Sequence, residues 1–185
     1  VSTLNVDKVD PSTGTALEIG TSGDTINVPS GVTLDINSGA TLDATGATVT
    51  GTIGRVLQVV QGSINTEAST TNGSFVTTGL SVDITPSSSS NKVLVLFNGV
   101  GGTNDTDGNY FTLYRDSTNL GGGSGHVRMK GVSGGFQSGI SMSELDSPST
   151  ASQISYVVRF AQAGGTATIS TGDTKSTITA MEIAV

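Results

Sequence analysis

Cysteine is absent from this 185-residue sequence. That excludes a disulfide framework and any thiolate metal site. Extracellular domains often rely on disulfides, so a chain without them suits synthesis in a reducing cytoplasm and stability gained another way, for example by oligomerising. Charge is also scarce: 12% of residues, with eight Lys and Arg against fifteen Asp and Glu and a net charge of −7. Nucleic-acid binding needs a basic footprint, which this balance does not provide. Aromatics make up 4% and there is one histidine. No run of about twenty apolar residues is present, so no membrane-inserting helix is expected. The sequence opens on Val1 and no basic-then-apolar signal segment follows, as expected of a fragment or a processed chain.

In place of charge and aromatics stand Ser, Thr, Asn and 26 glycines, with Val, Ile and Leu at short spacing. Low charge argues against ordinary disorder, which couples low hydrophobicity to high net charge. β-Branched residues favour strands, and Gly, Asn, Asp and Ser favour tight turns. The expectation is an all-β chain of many short strands.

Residues 1–52 carry a repeat. Gly23-Asp24-Thr25-Ile26 is echoed by Gly31-Val32-Thr33-Leu34, Gly39-Ala40-Thr41-Leu42 and Gly46-Ala47-Thr48-Val49. Each unit predicts a short strand and a turn, with Ile26/Val28 and Leu34/Ile36 each on one face of their strand. One aliphatic stripe in so thin an element must stack on itself or on sister chains. The alternatives are a single-chain β-solenoid and a three-chain β-prism or triple β-helix. Four units are few for a solenoid, and three chains sharing one axial core would bury more aliphatic surface. A flexible linker would have no use for the regular aliphatic beat. Residues 53–61 are expected to form a connecting strand around Val56–Val60.

Residues 62–185 have the texture of a β domain. Strands are predicted at Ser74–Thr78, Leu80–Thr85, Lys92–Asn98, Asn109–Arg115, His126–Lys130, Phe136–Leu145, Gln153–Ala161, Thr166–Ser170 and Ser176–Val185. Turn signals such as Asp107-Gly108-Asn109, Gly121-Gly122-Gly123 and Gly164-Gly165 separate them. Eight or nine short strands predict a jelly-roll-like β-sandwich, with Phe75, Phe97, Phe111, Phe136 and Phe160 in its core.

The sequence offers little catalytic chemistry. No glycine pattern of a nucleophile elbow marks a serine as partner for His126. Glu144/Asp146 and Asp105/Asp107 are paired carboxylates of the kind glycosidases use, but both pairs fit turn edges better, and no enzyme is expected. Asn104-Asp105-Thr106-Asp107-Gly108-Asn109 partly matches a calcium loop, yet it lacks the downstream Glu and flanking helices; a polar hairpin tip is the expectation, with no metal and no cofactor. Gly121–Gly125 opens no helix and no Lys-Ser/Thr follows it, so it is not a P-loop. Tyr110 and Tyr114 share a strand face next to the Asp/Asn loop, a composition common in binding surfaces. His126 and Arg128 follow the glycine run. Asn104, Asp105, Asp107, Asn109, Tyr110, Tyr114, His126 and Arg128 are therefore the candidate receptor-binding residues.

Several stretches carry a resemblance. They are Ser2-Thr3-Leu4-Asn5-Val6-Asp7-Lys8-Val9, the Gly-x-Thr-aliphatic repeats, Gly54-Arg55-Val56-Leu57-Gln58-Val59-Val60, Thr78-Gly79-Leu80-Ser81-Val82-Asp83-Ile84-Thr85-Pro86, Asn91-Lys92-Val93-Leu94-Val95, Leu113-Tyr114-Arg115-Asp116-Ser117-Thr118, Leu145-Asp146-Ser147-Pro148 and Ser176-Thr177-Ile178-Thr179-Ala180-Met181-Glu182-Ile183. In this order they resemble the C-terminal region of tail-fibre proteins of marine bacteriophages, notably those of cyanobacteria. The resemblance implies a virion location, a homotrimeric fibre joined upstream to other tail proteins, and adhesion to a host glycan or outer-membrane protein. It implies no individual site residue. Loops Gly99–Asn109 and Gly121–Gly135 depart most from the family pattern, and loops at a fibre tip are where specificity is expected. A purely structural trimerisation cap and a bacterial surface adhesin are the alternatives.

Overall fold

The computed structural model describes residues 19, 23, 25–35, 40, 56–132 and 134–185. The repeat units at 39–42 and 46–49, the opening stretch 2–9 and residues 53–55 fall outside the described residues, apart from Ala40. By its contacts the chain divides into a unit of residues 1–50 and a unit of residues 51–185.

In the first unit, the short strands expected at the two described repeats are not formed: residues 25–28 and 32–35 are in neither strand nor helix. A turn between them is closed by the Val32 N–H donating to the Pro29 carbonyl at 3.1 Å, with Gly31 at φ +85°. The aliphatic residues of the beat, Ile26, Val28, Val32 and Leu34, are exposed.

The second unit is all-β, with a single 3₁₀ turn at Thr171–Asp173 among its described residues. Its strands are β1 (Val56–Ile64), β2 (Ala68–Thr70), β3 (Val76–Ile84), β4 (Lys92–Thr103), β5 (Asn109–Arg115), β6 (Thr118–Asn119), β7 (Val127–Met129), β8 (Phe136–Asp146), β9 (Ile154–Gln162), β10 (Ala167–Ile169) and β11 (Ser176–Ile183). The strand expected to connect the two regions is β1, an integral strand of this unit that pairs antiparallel with β11.

Two antiparallel sheets form. In the first, β4 is the hub. One edge pairs with β8 from Val93↔Asp146 to Thr103↔Phe136. Its other edge pairs with β11 from Lys92↔Ile183 to Asn98↔Thr177, then with β10 from Gly101↔Ile169 to Thr103↔Ala167. β1 continues the sheet beyond β11, and β2 beyond β10. The second sheet runs β3-β9-β5, with β6 and β7 side by side along the far edge of β5. Gly79, at φ +85°, marks the irregularity in the β3–β9 register.

Alternation along the strands builds one shared core. Val93, Val95 and Phe97 of β4 and Ile178 and Ala180 of β11 meet Leu80, Val82 and Ile84 of β3, Phe111 and Leu113 of β5, and Tyr156, Val158 and Phe160 of β9. Phe97, Phe111 and Phe160 are core residues as expected. Phe75 is half-buried against Tyr114, and Phe136 stands 43% exposed at the start of β8.

β4 sets the long dimension. Its Lys92 end adjoins Ile183 and Val56, so β1 begins there. Its Thr103 end, about 36 Å away at 3.3 Å per residue, adjoins the loops that carry most of the candidate site residues.

Candidate functional site

Three loops meet at the Thr103 end, and glycines make the meeting close. The Ala163 N–H donates to the Gly108 carbonyl at 2.9 Å, and the Thr166 N–H donates to Asn104 Oδ1 at 2.7 Å. A side chain at Gly164 would press on the Asp105 and Asp107 carboxylates, one at Gly165 would strike Asn104, and one at Gly131 would strike the Asp105 carbonyl. Within the tip, the Asp107 N–H donates to Asp105 Oδ1 at 2.8 Å. Loop 104–108 is thereby held between residues 130–131 and 163–166. Of the two loop stretches singled out in the sequence, Gly131 and Gly135 of the second meet Asp105, Thr103 and Asn104 of the first at this end. Gly121 and Gly125 pack instead against Thr112 and Phe111 farther along β5, residues 99–103 belong to β4, and Ser133 lies outside the described residues.

Asp107, Tyr110 and Arg128 form a contiguous surface. The Arg128 guanidinium sits 5.4 Å from the centre of the Tyr110 ring and donates to the Asp107 carbonyl at 3.1 Å. Strand register explains the pairing, since Tyr110 is opposite Arg128 in the β5–β7 ladder. Asn104 and Asp105 adjoin this surface through the loop.

The other three candidates lie elsewhere. Asn109 is fully buried and its Nδ2 donates to the Gly102 carbonyl at 2.7 Å, tying β5 to β4. Tyr114 faces the same side as Tyr110 farther along β5, where Arg159 lies 4.2 Å from its ring centre and Phe75 packs edge-on at 6.2 Å. His126 is largely covered. Its Nδ1 accepts from the Leu113 N–H at 3.3 Å, and its Nε2 lies 3.4 Å from Glu144 Oε2. The ring thus clamps β5 and β8 from the side.

An open groove of about 600 Å³ at the same end joins the candidate Asn104 to residues the sequence did not mark for a site, among them Glu67, Phe136, Gln137, Thr168 and Thr171. Its wall and floor come from Glu67, Gly102, Asn104, Phe136, Gln137 and the threonines 103, 166, 168 and 171. The alternation Thr166-x-Thr168, with Ala167 buried, is the sequence signal for a hydroxyl-bearing outer face.

The paired carboxylates have structural partners. Both Asp146 oxygens accept from Arg115 Nη1, at 2.7 and 2.8 Å, and Oδ2 also accepts from the Tyr156 hydroxyl. Among the described residues no three His, Asp or Glu side chains gather as a metal site, and no helix is long and apolar enough to cross a membrane. No protein-family model matches the chain, and no curated protein matches it.

Proposed function

We propose that this chain is the distal, trimer-forming part of a bacteriophage tail fibre, a virion component that adheres to a bacterial surface glycan or outer-membrane protein and catalyses no reaction. Residues 51–185 form its jelly-roll head. The strand order β1-β11-β4-β8 against β3-β9-β5-β6/β7 supports that reading: with the short β2 and β10 set aside and β6 and β7 counted as one interrupted edge strand, the six- and five-stranded sheets reduce to the two four-stranded layers of a jelly roll. The repeat in residues 1–50 is its three-chain stem, supported by exposed aliphatics that one chain leaves uncovered.

The observation that carries the adhesive reading is the gathering of loops 104–108 and 163–166 with residues 130, 131 and 135 at the end of the sandwich opposite the start of β1. A β-sandwich presenting a loop cluster at one end is a recognition architecture.

Trimerisation finds support on the outer face of the β4 sheet. Leu145, Leu94, Met181 and Val59 form one continuous row across β8, β4, β11 and β1, with Leu145 and Val59 more than half exposed. The next two rows are Ser143-Leu96-Thr179-Gln61 and Ser141-Asn98-Thr177-Ser63. None of these side chains is ionisable. Chains of net charge −7 repel one another, and residues near a three-fold axis approach their own equivalents. These three rows offer a second and third copy of this chain a neutral patch, bordered by Lys92 of β4. Weak sites on three heads then act together by avidity.

The test is retention of the purified chain on a panel of marine bacterial cells, compared with variants Asp107→Ala and Arg128→Ala. Retention that falls in the variants while native mass is unchanged supports adhesion at the loop end. Equal retention of parent and variants removes these residues from the contact surface. No retention on any cell, by a chain that still trimerises, leaves the structural-cap alternative.

A further inference from the structure

The groove at the loop end owes its depth to a missing side chain. Thr168, Gly102 and Gln137 form one cross-strand row on the outer face of β10, β4 and β8. Gly102 has no positive φ, so the backbone does not ask for glycine there. Space does: a Cβ at Gly102 would strike Thr168 Oγ1 and press on Gln137 Cγ and Thr171 Oγ1, at 3.3 Å each. Bare backbone is therefore the floor, with Thr168 and Thr171 on one side and Gln137 on the other. The exposed Phe136 ring stands at the rim.

The chemistry of the lining selects a ligand class. Hydroxyls and carboxamides each both donate and accept, and so match the vicinal hydroxyls of a sugar. Thr168 and Thr171 share a hydrogen bond at 3.0 Å, which aligns their hydroxyls as a pair. Asn104 spends Oδ1 on the Thr166 N–H, and its Nδ2 has no hydrogen bond to a described residue. The Gln137 carboxamide has no hydrogen bond to a described residue. An exposed phenyl ring offers a flat apolar surface to the C–H face of a pyranose. Among the described lining residues Glu67 is the one charge; on a chain of net charge −7 it opposes a polyanion. The volume lies within the roughly 300–1,000 Å³ usual for small-ligand sites.

We propose that this groove, floored by Gly102 and flanked by Phe136, Gln137, Thr168 and Thr171, binds a neutral oligosaccharide segment. The proposal rests on the adhesive reading and narrows its receptor to an uncharged glycan.

Binding of the full chain to maltohexaose, laminarihexaose, chitohexaose and hexagalacturonate, followed by ligand-observed NMR and calorimetry, tests it. At least one neutral hexamer is expected to bind, and hexagalacturonate at least ten-fold more weakly. Gly102→Val, which fills the floor, is expected to lower affinity ten-fold or more. Should that variant fold poorly, the exposed Phe136→Ala and Gln137→Ala are expected to weaken binding with circular dichroism and native mass unchanged. Binding of no neutral hexamer, equal binding of hexagalacturonate, or parent-like binding by both exposed-site variants overturns the proposal. Retention on bacterial cells separates the two levels. A chain retained by cells that binds no neutral hexamer sinks the groove and leaves adhesion standing. A chain that binds a hexamer but no cell does the reverse.

Discussion

Tyr156 donates a 2.7 Å hydrogen bond to Asp146 across the interior of the sandwich, joining β9 of one sheet to β8 of the other. Tyr156 is fully buried, and burial followed by the neighbouring carboxylate pushes its phenol well above the ordinary range. Arg115 of β5 completes the group with its two contacts to the same carboxylate. Asp146→Ala leaves Arg115 without its partner and is expected to cost about 3–5 kcal/mol. Tyr156→Phe keeps the ion pair and is expected to cost about 1–2 kcal/mol. Urea unfolding followed by circular dichroism measures both, and equal losses would contradict this ranking.

Glu182, 1% exposed, predicts an acid-sensitive step. Burial by itself raises its pKa. Hydrogen bonds from Gln58, Asn91 and the Ser87 hydroxyl and N–H outweigh that and hold the carboxyl down at about 2, against an ordinary 4.5. The folded pKa lies below the unfolded one, so the stabilisation is complete above about pH 4.5 and is lost as pH falls toward about 2. Glu182→Gln is expected to lower stability by about 2 kcal/mol at pH 7, and to narrow its deficit against the parent between pH 4.5 and 2. Unfolding midpoints at pH 7, 4 and 3 check this. A deficit that does not shrink on acidification contradicts it.

Glycines of β4 and β8 predict opposite responses. A Cβ at Gly101 would sit 2.9 Å from Phe111 Cζ and 3.0 Å from Ile140 Cδ1, whereas one at Gly139 meets nothing within 4 Å. Gly101→Ala is expected to cost about 1–3 kcal/mol through overpacking. Gly139→Ala is expected to be neutral or to stabilise by about 0.4–1 kcal/mol. Thermal unfolding of the two variants separates them.

The same glycines show where the sequence was legible. Asn109–Arg115 is a strand over the range its alternation predicts, and Lys92, Phe136 and Ser176 begin strands as expected. Local pattern and turn chemistry suffice for those. Gly99, Gly101 and Gly102 instead have the look of a loop, yet they continue β4, because Ser176, Phe111 and Thr168 pack where their side chains would be. That closeness is set by residues far away in sequence, and the groove floor was hidden with it. Asn109 is a candidate contact residue from its Asp-Gly-Asn setting, but the first inward position of β5 buries it. Phe136 looked like core from its apolar character alone, and its place at the open end of β8 exposes it.

The outer face of the β4 sheet gives a prediction about assembly. Leu94→Arg places a charge in the middle of the row Leu145-Leu94-Met181-Val59 while leaving the inward face untouched. The fold is expected to persist by circular dichroism, and trimer dissociation to shift to at least ten-fold higher concentration. Asn98→Arg, farther along the same face, is expected to have a smaller effect. An unchanged dissociation profile for Leu94→Arg would show that the head contributes no contact through this row.

The native mass of the parent chain by sedimentation equilibrium, over a hundred-fold concentration range, is the most direct measurement. A trimer, three times the 18.5 kDa chain, is expected throughout that range. A monomer at all concentrations contradicts a fibre whose stem and head share their apolar surfaces among three copies.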